Sequence, residues 1–329
     1  GVVLFGISFA FTGQATSIFQ LYLIYGIFGG FAQNFAYSAC LSNTIRFFPD
    51  KKGLASGLIT GGMGGAAIIA APIANTLIER YGVSQAFWRM GLAYALIGFF
   101  FSLFIRSAPK QVVPQTAEGS EKAPAKTITA NKNWKEMLAT PAFYLLILMF
   151  AMGAFSGLMI ASNASLIGQS MFGLSATAAA AYVSLYSLSN TSGRVFWGAV
   201  SDRIGQIRAV IIIYSAIIFA FVLLVSVNQV WAFAAGVVTL GLCFGGVMGV
   251  FPGLVMDNFG PANQGVNYGI VFIGFSSAAF VAPKVTASLA AANDGDFTKA
   301  FYVAIAVVLL GLGLSLVYAK RKADAKLAA

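Results

Sequence analysis

The chain is 329 residues long, 59% hydrophobic and only 9% charged, with a mean hydropathy of +0.83. A soluble domain carries about 25% charged residues, so most of this chain is dissolved in lipid and it reads as a polytopic, all-α membrane protein. The net charge of +10 does not point to nucleic acid, because the basic residues lie between apolar segments and no stripe or arm gathers them.

The first apolar run starts at Gly1 and reaches only to about Phe11, short of the roughly 20 helical residues that cross a bilayer core. It also lacks the basic start and small-residue cleavage site of a signal peptide. It reads as the end of a truncated helix, and the chain as a fragment lacking its N-terminus. Long apolar segments follow at 18–45, 54–78, 86–105, 142–165, 175–200, 209–227, 230–256, 266–292 and 300–319, which with the first run predicts ten helices. The polar stretch from Arg106 to Thr140 holds Pro109, Pro114 and Pro124 among Lys and Glu, and reads as a flexible linker. The expected organisation is an incomplete N-terminal helical half over 1–105, a linker over 106–140 and a C-terminal helical half over 141–329.

Basic residues set the orientation of such a chain. Alternate connections collect Arg46, Lys51, Lys52, Arg106, Lys110, Lys122, Lys126, Lys132, Lys135, Arg203, Arg208, Lys320, Arg321, Lys322 and Lys326, which is 15 of the 20 Lys and Arg. The linker and the C-terminus are therefore expected in the cytoplasm. Cys40 and Cys243 sit inside apolar runs and read as small packing residues. There is no histidine, and no metal cluster, nucleophile–base pair or paired carboxylates appears. The expectation is a protein that is not an enzyme and needs no metal or cofactor.

An internal repeat is visible. "FPDKKGLASG" (48–57) and "FGPANQGVNYG" (259–269) share a phenylalanine, a proline, polar residues and then G-x-x-x-G opening a helix. Aligning them makes the halves repeats of six helices, of which the first lacks two. Two parallel six-helix repeats joined by a long cytoplasmic loop is the architecture of the major facilitator superfamily. "GAVSDRIGQIR" (198–208) carries Gly198, Asp202, Arg203 and Gly205 at a spacing that resembles the superfamily's cytoplasmic loop motif. Asp202 can cap or pair with a neighbouring helix end there, and Gly205 permits a tight turn. Glycines 57, 61 and 65 form a small face on which helices can approach closely.

"RFFPDKKGLASG" (46–57), "TPAFYLLIL" with "SGLMI" (140–160), "NTSGRVFWGAVSDRIG" (190–205) and "NFGPANQGVNYGIVF" (258–272) together resemble the oxalate:formate antiporter family within that superfamily. The resemblance spans nearly the whole chain. It implies a transporter of small carboxylate anions, working as a monomer in a bacterial inner membrane.

Arg194 is the residue that tests this. It lies eight residues before Asp202, about 12 Å along a helix, where a charge in hydrocarbon costs at least about 2.5–3.5 kcal/mol. It could snorkel to the interface or pair with a group on a missing helix. The functional alternative is that its partner is the substrate, since a guanidinium fork matches a carboxylate bidentately. In the resembling family the arginine at this place binds the substrate carboxylate. Asn190 lies one turn before it on the same face, with Tyr186 a turn further. Related proton-coupled monocarboxylate transporters have an aspartate four residues before such an arginine, and an amide cannot titrate. Anion exchange is therefore expected ahead of a proton-coupled symporter or a transporter-like sensor.

The family's oxalate carriers also hold a lysine eight residues after the asparagine of an N-Y-G motif. Here N-Y-G is Asn267, Tyr268 and Gly269, and the aligned position is Phe275. The nearest lysine, Lys284, is expected to be an interface residue. Tyr37 is kept, while Met63, Phe244 and Met248 stand where those carriers have Tyr, Trp and Tyr. One cation and an apolar lining suit a monocarboxylate, such as a formate-, lactate- or pyruvate-like anion, better than oxalate.

Overall fold

A bilayer offers no water to satisfy backbone N–H and C=O groups, so a spanning chain closes them within helices. The computed structural model describes residues 1–108 and 131–327, and each of the ten predicted segments is helical in it. α1 covers Val2–Thr12. α2 (Ile18–Leu21) passes through π-helical turns at Tyr22–Gly29 into α3 (Gly30–Phe47). α4 (Lys52–Ser102) takes in two predicted helices, and between them only Gly82, at φ 78° and ψ 166°, leaves the helical region. The remaining long helices are α6 (Pro141–Phe172), α7 (Ala176–Ile204), α8 (Gln206–Ser226), α9 (Val230–Phe259), α11 (Ile273–Ala291) and α12 (Thr298–Leu327). A short helix, α10 (Gln264–Val271), leads into α11.

Six helical runs among the described residues are long and apolar enough to cross a membrane. α7, at 29 residues, is long enough but less apolar than these six. Asn190, Arg194, Asp202, Arg203 and a series of serines lower its hydropathy. Polar side chains within a spanning helix mark functional ground by default.

Residues 109–130 of the expected linker lie outside the described residues. Its last part departs from the expectation of a flexible segment, because Trp134–Leu138 forms a helix, α5. Asn133 and Glu136 make a capping box. The Asn133 Oδ1 accepts the N–H groups of Lys135 and Glu136 at 3.0 Å each, and the Asn133 N–H donates to Glu136 Oε2 at 2.7 Å. Met137 is fully buried. A polar composition concealed a short element fixed by one cap and one apolar anchor.

The described residues divide into two compact units, one made of 1–47 and 65–108 and the other of 48–64 and 131–327. This division does not follow the two expected halves, since 48–64 groups with the C-terminal helices. In the first unit α1 packs closely on the later part of α4, where a Cβ on Gly91 would overlap the Ala10 backbone. The Phe9 ring lies 4.9 Å from that of Phe87 and 5.3 Å from that of Tyr94. Asn43 clips the chain after α4, donating to the Arg106 carbonyl and accepting the Ala108 N–H, both at 2.8 Å.

The second unit has a core of Phe150, Tyr214, Phe221, Phe233, Phe251 and Phe301, all fully buried. Its closest packing joins α7 to α9. Gly241, Gly245 and Gly249 recur every four residues on α9, and added Cβ atoms would meet the backbone carbonyls of Tyr186, Asn190 and Arg194 respectively. Gly57 of α4 meets the Arg194 carbonyl in the same way. A ladder of small residues brings helix backbones together where lipid supplies no hydrophobic drive.

Candidate functional site

That ladder determines what surrounds Arg194. With Gly245 and Gly249 against the backbones of Asn190 and Arg194, the adjacent side chains Phe244 and Met248 lie at the same level of the bundle. Both are buried, and so is Arg194, at 8% exposure. The Arg194 Nε donates to Asn190 Oδ1 at 3.1 Å, and Nη1 donates to the Thr60 backbone carbonyl at 2.6 Å. Neutral oxygens from two helices thus help to orient the guanidinium. Gly64, one turn beyond Thr60, leaves the space, since a Cβ there would stand 3.1 Å from the guanidinium carbon. Met63 precedes Gly64 and is 44% exposed.

Beside this cation runs a stack of rings from three helices. Tyr186 and Phe244 lie 6.5 Å apart at 22°, and Phe244 and Phe275 lie 6.4 Å apart at 13°. The Tyr186 hydroxyl donates to the Gly157 carbonyl at 2.7 Å. Phe244 lies so close over Gly157 that any side chain there would displace the ring. Phe275 continues to Phe272 at 4.8 Å and to Phe150 at 6.2 Å.

The Gly198–Gly205 motif lies on the last turns of α7 rather than in a loop, with Gly205 at φ 91° reversing the chain into α8. The two Asp202 carboxylate oxygens accept the N–H groups of Gly53 and Leu54, each at 2.8 Å. A carboxylate so placed satisfies unpaired donors at the start of α4 and complements its dipole. Next to it Lys52 forms an ion pair with Asp257. Arg203 is exposed.

The model of the Major Facilitator Superfamily matches residues 1–283. The chain belongs to that superfamily. This facilitator is 32% identical over 275 residues to the uncharacterized MFS-type transporter YhjX of Escherichia coli K12, covering 83% of this chain and 66% of the relative. It is 30% identical over 283 residues to the oxalate:formate antiporter of Oxalobacter formigenes, covering 85% of this chain and 63% of that protein. It is 25% identical to human monocarboxylate transporter 11 over 94% of this chain and 66% of the relative. The facilitator therefore spans slightly less than two thirds of the length of these relatives. Among solved structures, a bacterial homologue of the iron transporter ferroportin shares the fold with a TM-score of 0.64 at 14% identity, covering 97% of this chain and 80% of that one. The transporter FucP gives the same TM-score, identity and coverage. Six membrane-crossing helical runs and this membership make the chain a multi-pass membrane protein.

In this facilitator Arg194, Asn190, Phe244, Met248, Phe275 and Met63 all lie in the second compact unit, and Tyr37 lies on α3 in the first. Lys284 is exposed, with its Nζ 3.5 Å from the centre of the Phe280 ring. Thr60, Gly157 and the Gly241–Gly249 ladder escaped sequence reasoning. Thr60 contributes a backbone carbonyl, which no side-chain pattern announces. The G-x-x-x-G-x-x-x-G of 241–249 was a usable signal.

The asparagines of "GPANQGVNYG" have a further use. The carbonyl of Lys132 accepts the Asn263 and Asn267 side-chain amides at 3.1 and 3.0 Å, and the Lys132 N–H donates to the Phe259 carbonyl at 2.9 Å. Gly260, at φ 80°, allows Asn131 to approach, and the Asn131 Oδ1 accepts the Ala262 N–H at 3.1 Å. The chain before α5 is thus clamped to the turn before α10. Asn267→Ala should lower stability by about 1–2 kcal/mol, because a hydrogen bond made by a fully buried side chain is lost. Thermal unfolding in detergent measures this, and an unchanged midpoint would remove the clamp's structural role.

Proposed function

We propose that the chain forms the substrate-binding part of a secondary transporter that exchanges small carboxylate anions by alternating access. Its preferred substrates are monocarboxylates of the formate, lactate or pyruvate type. It performs no covalent chemistry, acts as a monomer, and sits in a bacterial inner membrane with the linker and C-terminus cytoplasmic. The observation that carries this reading is the guanidinium of Arg194, buried within α7 and oriented by the neutral oxygens of Asn190 and Thr60. The planar fork of a guanidinium suits a carboxylate. The stack of Tyr186, Phe244 and Phe275 supplies an apolar flank for an organic tail. The family resemblance also implies a substrate-binding role for Tyr37. The similarity to the oxalate:formate antiporter and to monocarboxylate transporter 11 supports the substrate class.

Exchange is proposed over proton symport because Asn190 stands beside the arginine and cannot carry a proton. Efflux of preloaded lactate from proteoliposomes should accelerate when external carboxylate is added, and should respond weakly to an imposed pH gradient. Asn190→Asp should add proton dependence, since the new acid would titrate with occupancy of the site. Strong uptake into substrate-free vesicles driven by an inward proton gradient would establish the symporter instead.

A further inference from the structure

A cavity of about 280 Å³ opens between α6, α9 and α12, away from Arg194 and its ring stack. That volume lies just below the range of small-molecule sites, about 300–1,000 Å³, and suits a headgroup-sized ligand. One wall is apolar, formed by Ala142 and Leu145 near the start of α6. The floor is polar and internally fixed, because the Tyr318 hydroxyl donates to Asn258 Oδ1 at 2.6 Å and the Asn258 amide donates to the Leu254 carbonyl at 2.6 Å. Arg321 and Lys322, on successive positions of α12, bring two cations to the cavity. Asp257, the acidic residue among the described lining residues, forms an ion pair with Lys52.

The membrane-facing surface leading from the cavity is apolar. Leu148 lies one turn beyond Leu145 on α6 and is 47% exposed, and Val317 lies one turn before Arg321 on α12 and is 46% exposed. Both helices belong to membrane-crossing runs. Cations at a helix end, a preformed polar floor and an apolar strip running into the bilayer match the parts of an anionic phospholipid. Basic pockets between spanning helices are suited to such headgroups, and arginine matches phosphate oxygens with its fork.

We propose that this cavity binds a phosphate-bearing anion through Arg321 and Lys322, with the phosphodiester of an anionic phospholipid as its source and the acyl chains lying along Leu148 and Val317. A free phosphate shares the same oxyanion chemistry but makes no use of the apolar strip. The site is independent of the carboxylate reading, which it neither needs nor supports.

The test is titration of the purified full chain in detergent with phosphatidylglycerol, with phosphatidylcholine of the same acyl chains, and with inorganic phosphate, read as the thermal unfolding midpoint. Phosphatidylglycerol should raise the midpoint saturably and phosphatidylcholine should not. Arg321→Gln combined with Lys322→Gln should weaken the apparent affinity about thirtyfold, each cation contributing about fivefold. Lys320→Gln, which alters a neighbouring charge outside the cavity lining, should retain most of the response. Ala142→Leu fills the cavity with every charge intact and should also abolish the response, so the site stays testable if the double variant folds poorly. An equal response to inorganic phosphate, lost in the same variants, supports the oxyanion site and assigns it to a soluble source. Equal stabilisation by phosphatidylcholine, no response of the wild type to either phosphate source, or a phosphatidylglycerol response that survives both variants would overturn the proposal.

Discussion

Arg194→Ala should abolish carboxylate exchange while leaving a folded, membrane-inserted protein, and Arg194→Lys should restore a small part of the activity at most. The fold tolerates the change because two opposed terms are of similar size. Losing the bonds to Asn190 and to the Thr60 carbonyl, both made by a charged donor, costs about 1.5–3 kcal/mol each. Removing a charge from the hydrocarbon region returns about 2.5–3.5 kcal/mol on the mildest scale. Transport has no such compensation. Truncating one member of a buried, hydrogen-bonded charge pair costs about 2–5 kcal/mol, which corresponds to a loss of about thirtyfold to several thousandfold in substrate affinity. Lysine keeps the charge but not the fork, and its single ammonium cannot hold Asn190, Thr60 and a carboxylate in the same planar arrangement. Exchange rates in proteoliposomes, normalised to protein recovered as a single species on size exclusion, give the comparison. Wild-type exchange by Arg194→Ala would remove the guanidinium from the site.

Phe275→Lys should shift selectivity from monocarboxylates toward oxalate. Phe275 is half-buried and stacks on Phe244 at 13°, so the second carboxylate of a dianion in the Arg194 site would meet aromatic rings. An anion left uncompensated in such surroundings is strongly penalised, and that penalty rejects the wrong substrate. A lysine at 275 would face the same rings, and a cation held over Phe244 is tolerated by cation–π attraction. The inhibition constant for oxalate should fall relative to that for lactate by about tenfold or more, since close charge pairs couple by at least about 1.5 kcal/mol. An isolated lysine in a low-dielectric cavity loses its proton more readily than in water. The gain should therefore grow as pH is lowered, down to the range where the substrate itself becomes protonated. Competition of labelled substrate by oxalate and by lactate in both proteins measures the ratio. An unchanged ratio makes Phe275 a packing residue.

Much of this architecture was legible because a bilayer imposes a coarse rule. A stretch of about 20 apolar residues has one stable conformation there, and segments such as 142–165 and 230–256 needed no further information. The same rule is silent on finer features. It does not distinguish a loop from the single non-helical residue Gly82. It assigned 134–138 to the linker because five residues, two of them charged, are too short to carry a hydropathy signal, although the N-x-x-E of Asn133 and Glu136 is a capping signature that hydropathy ignores.

In the site, Arg194 and Asn190 stood out because a charge and an amide one turn apart are anomalous within an apolar run. Their support did not stand out. Thr60, Gly157 and Lys132 act through backbone carbonyls, whose positions depend on tertiary packing that side-chain identity does not encode. The motif at 258–272 was informative in a second sense besides the one first read. Its repeat with 48–57 suggested a helix start, and helices do begin there at Gln264 and Lys52; in addition, Asn263 and Asn267 use their amides to hold the chain before α5.

The central claim is that Arg194 recognises the carboxylate of a small exchanged anion. Counterflow in proteoliposomes tests it most directly, using vesicles preloaded with unlabelled lactate and a panel of labelled formate, lactate, pyruvate and oxalate outside, at equal pH on both sides. Transient accumulation of the labelled monocarboxylates above equilibrium by the wild type, with oxalate trailing and no accumulation by Arg194→Ala, is the predicted result. Accumulation by Arg194→Ala equal to the wild type, or no counterflow of any carboxylate by the wild type, would contradict it.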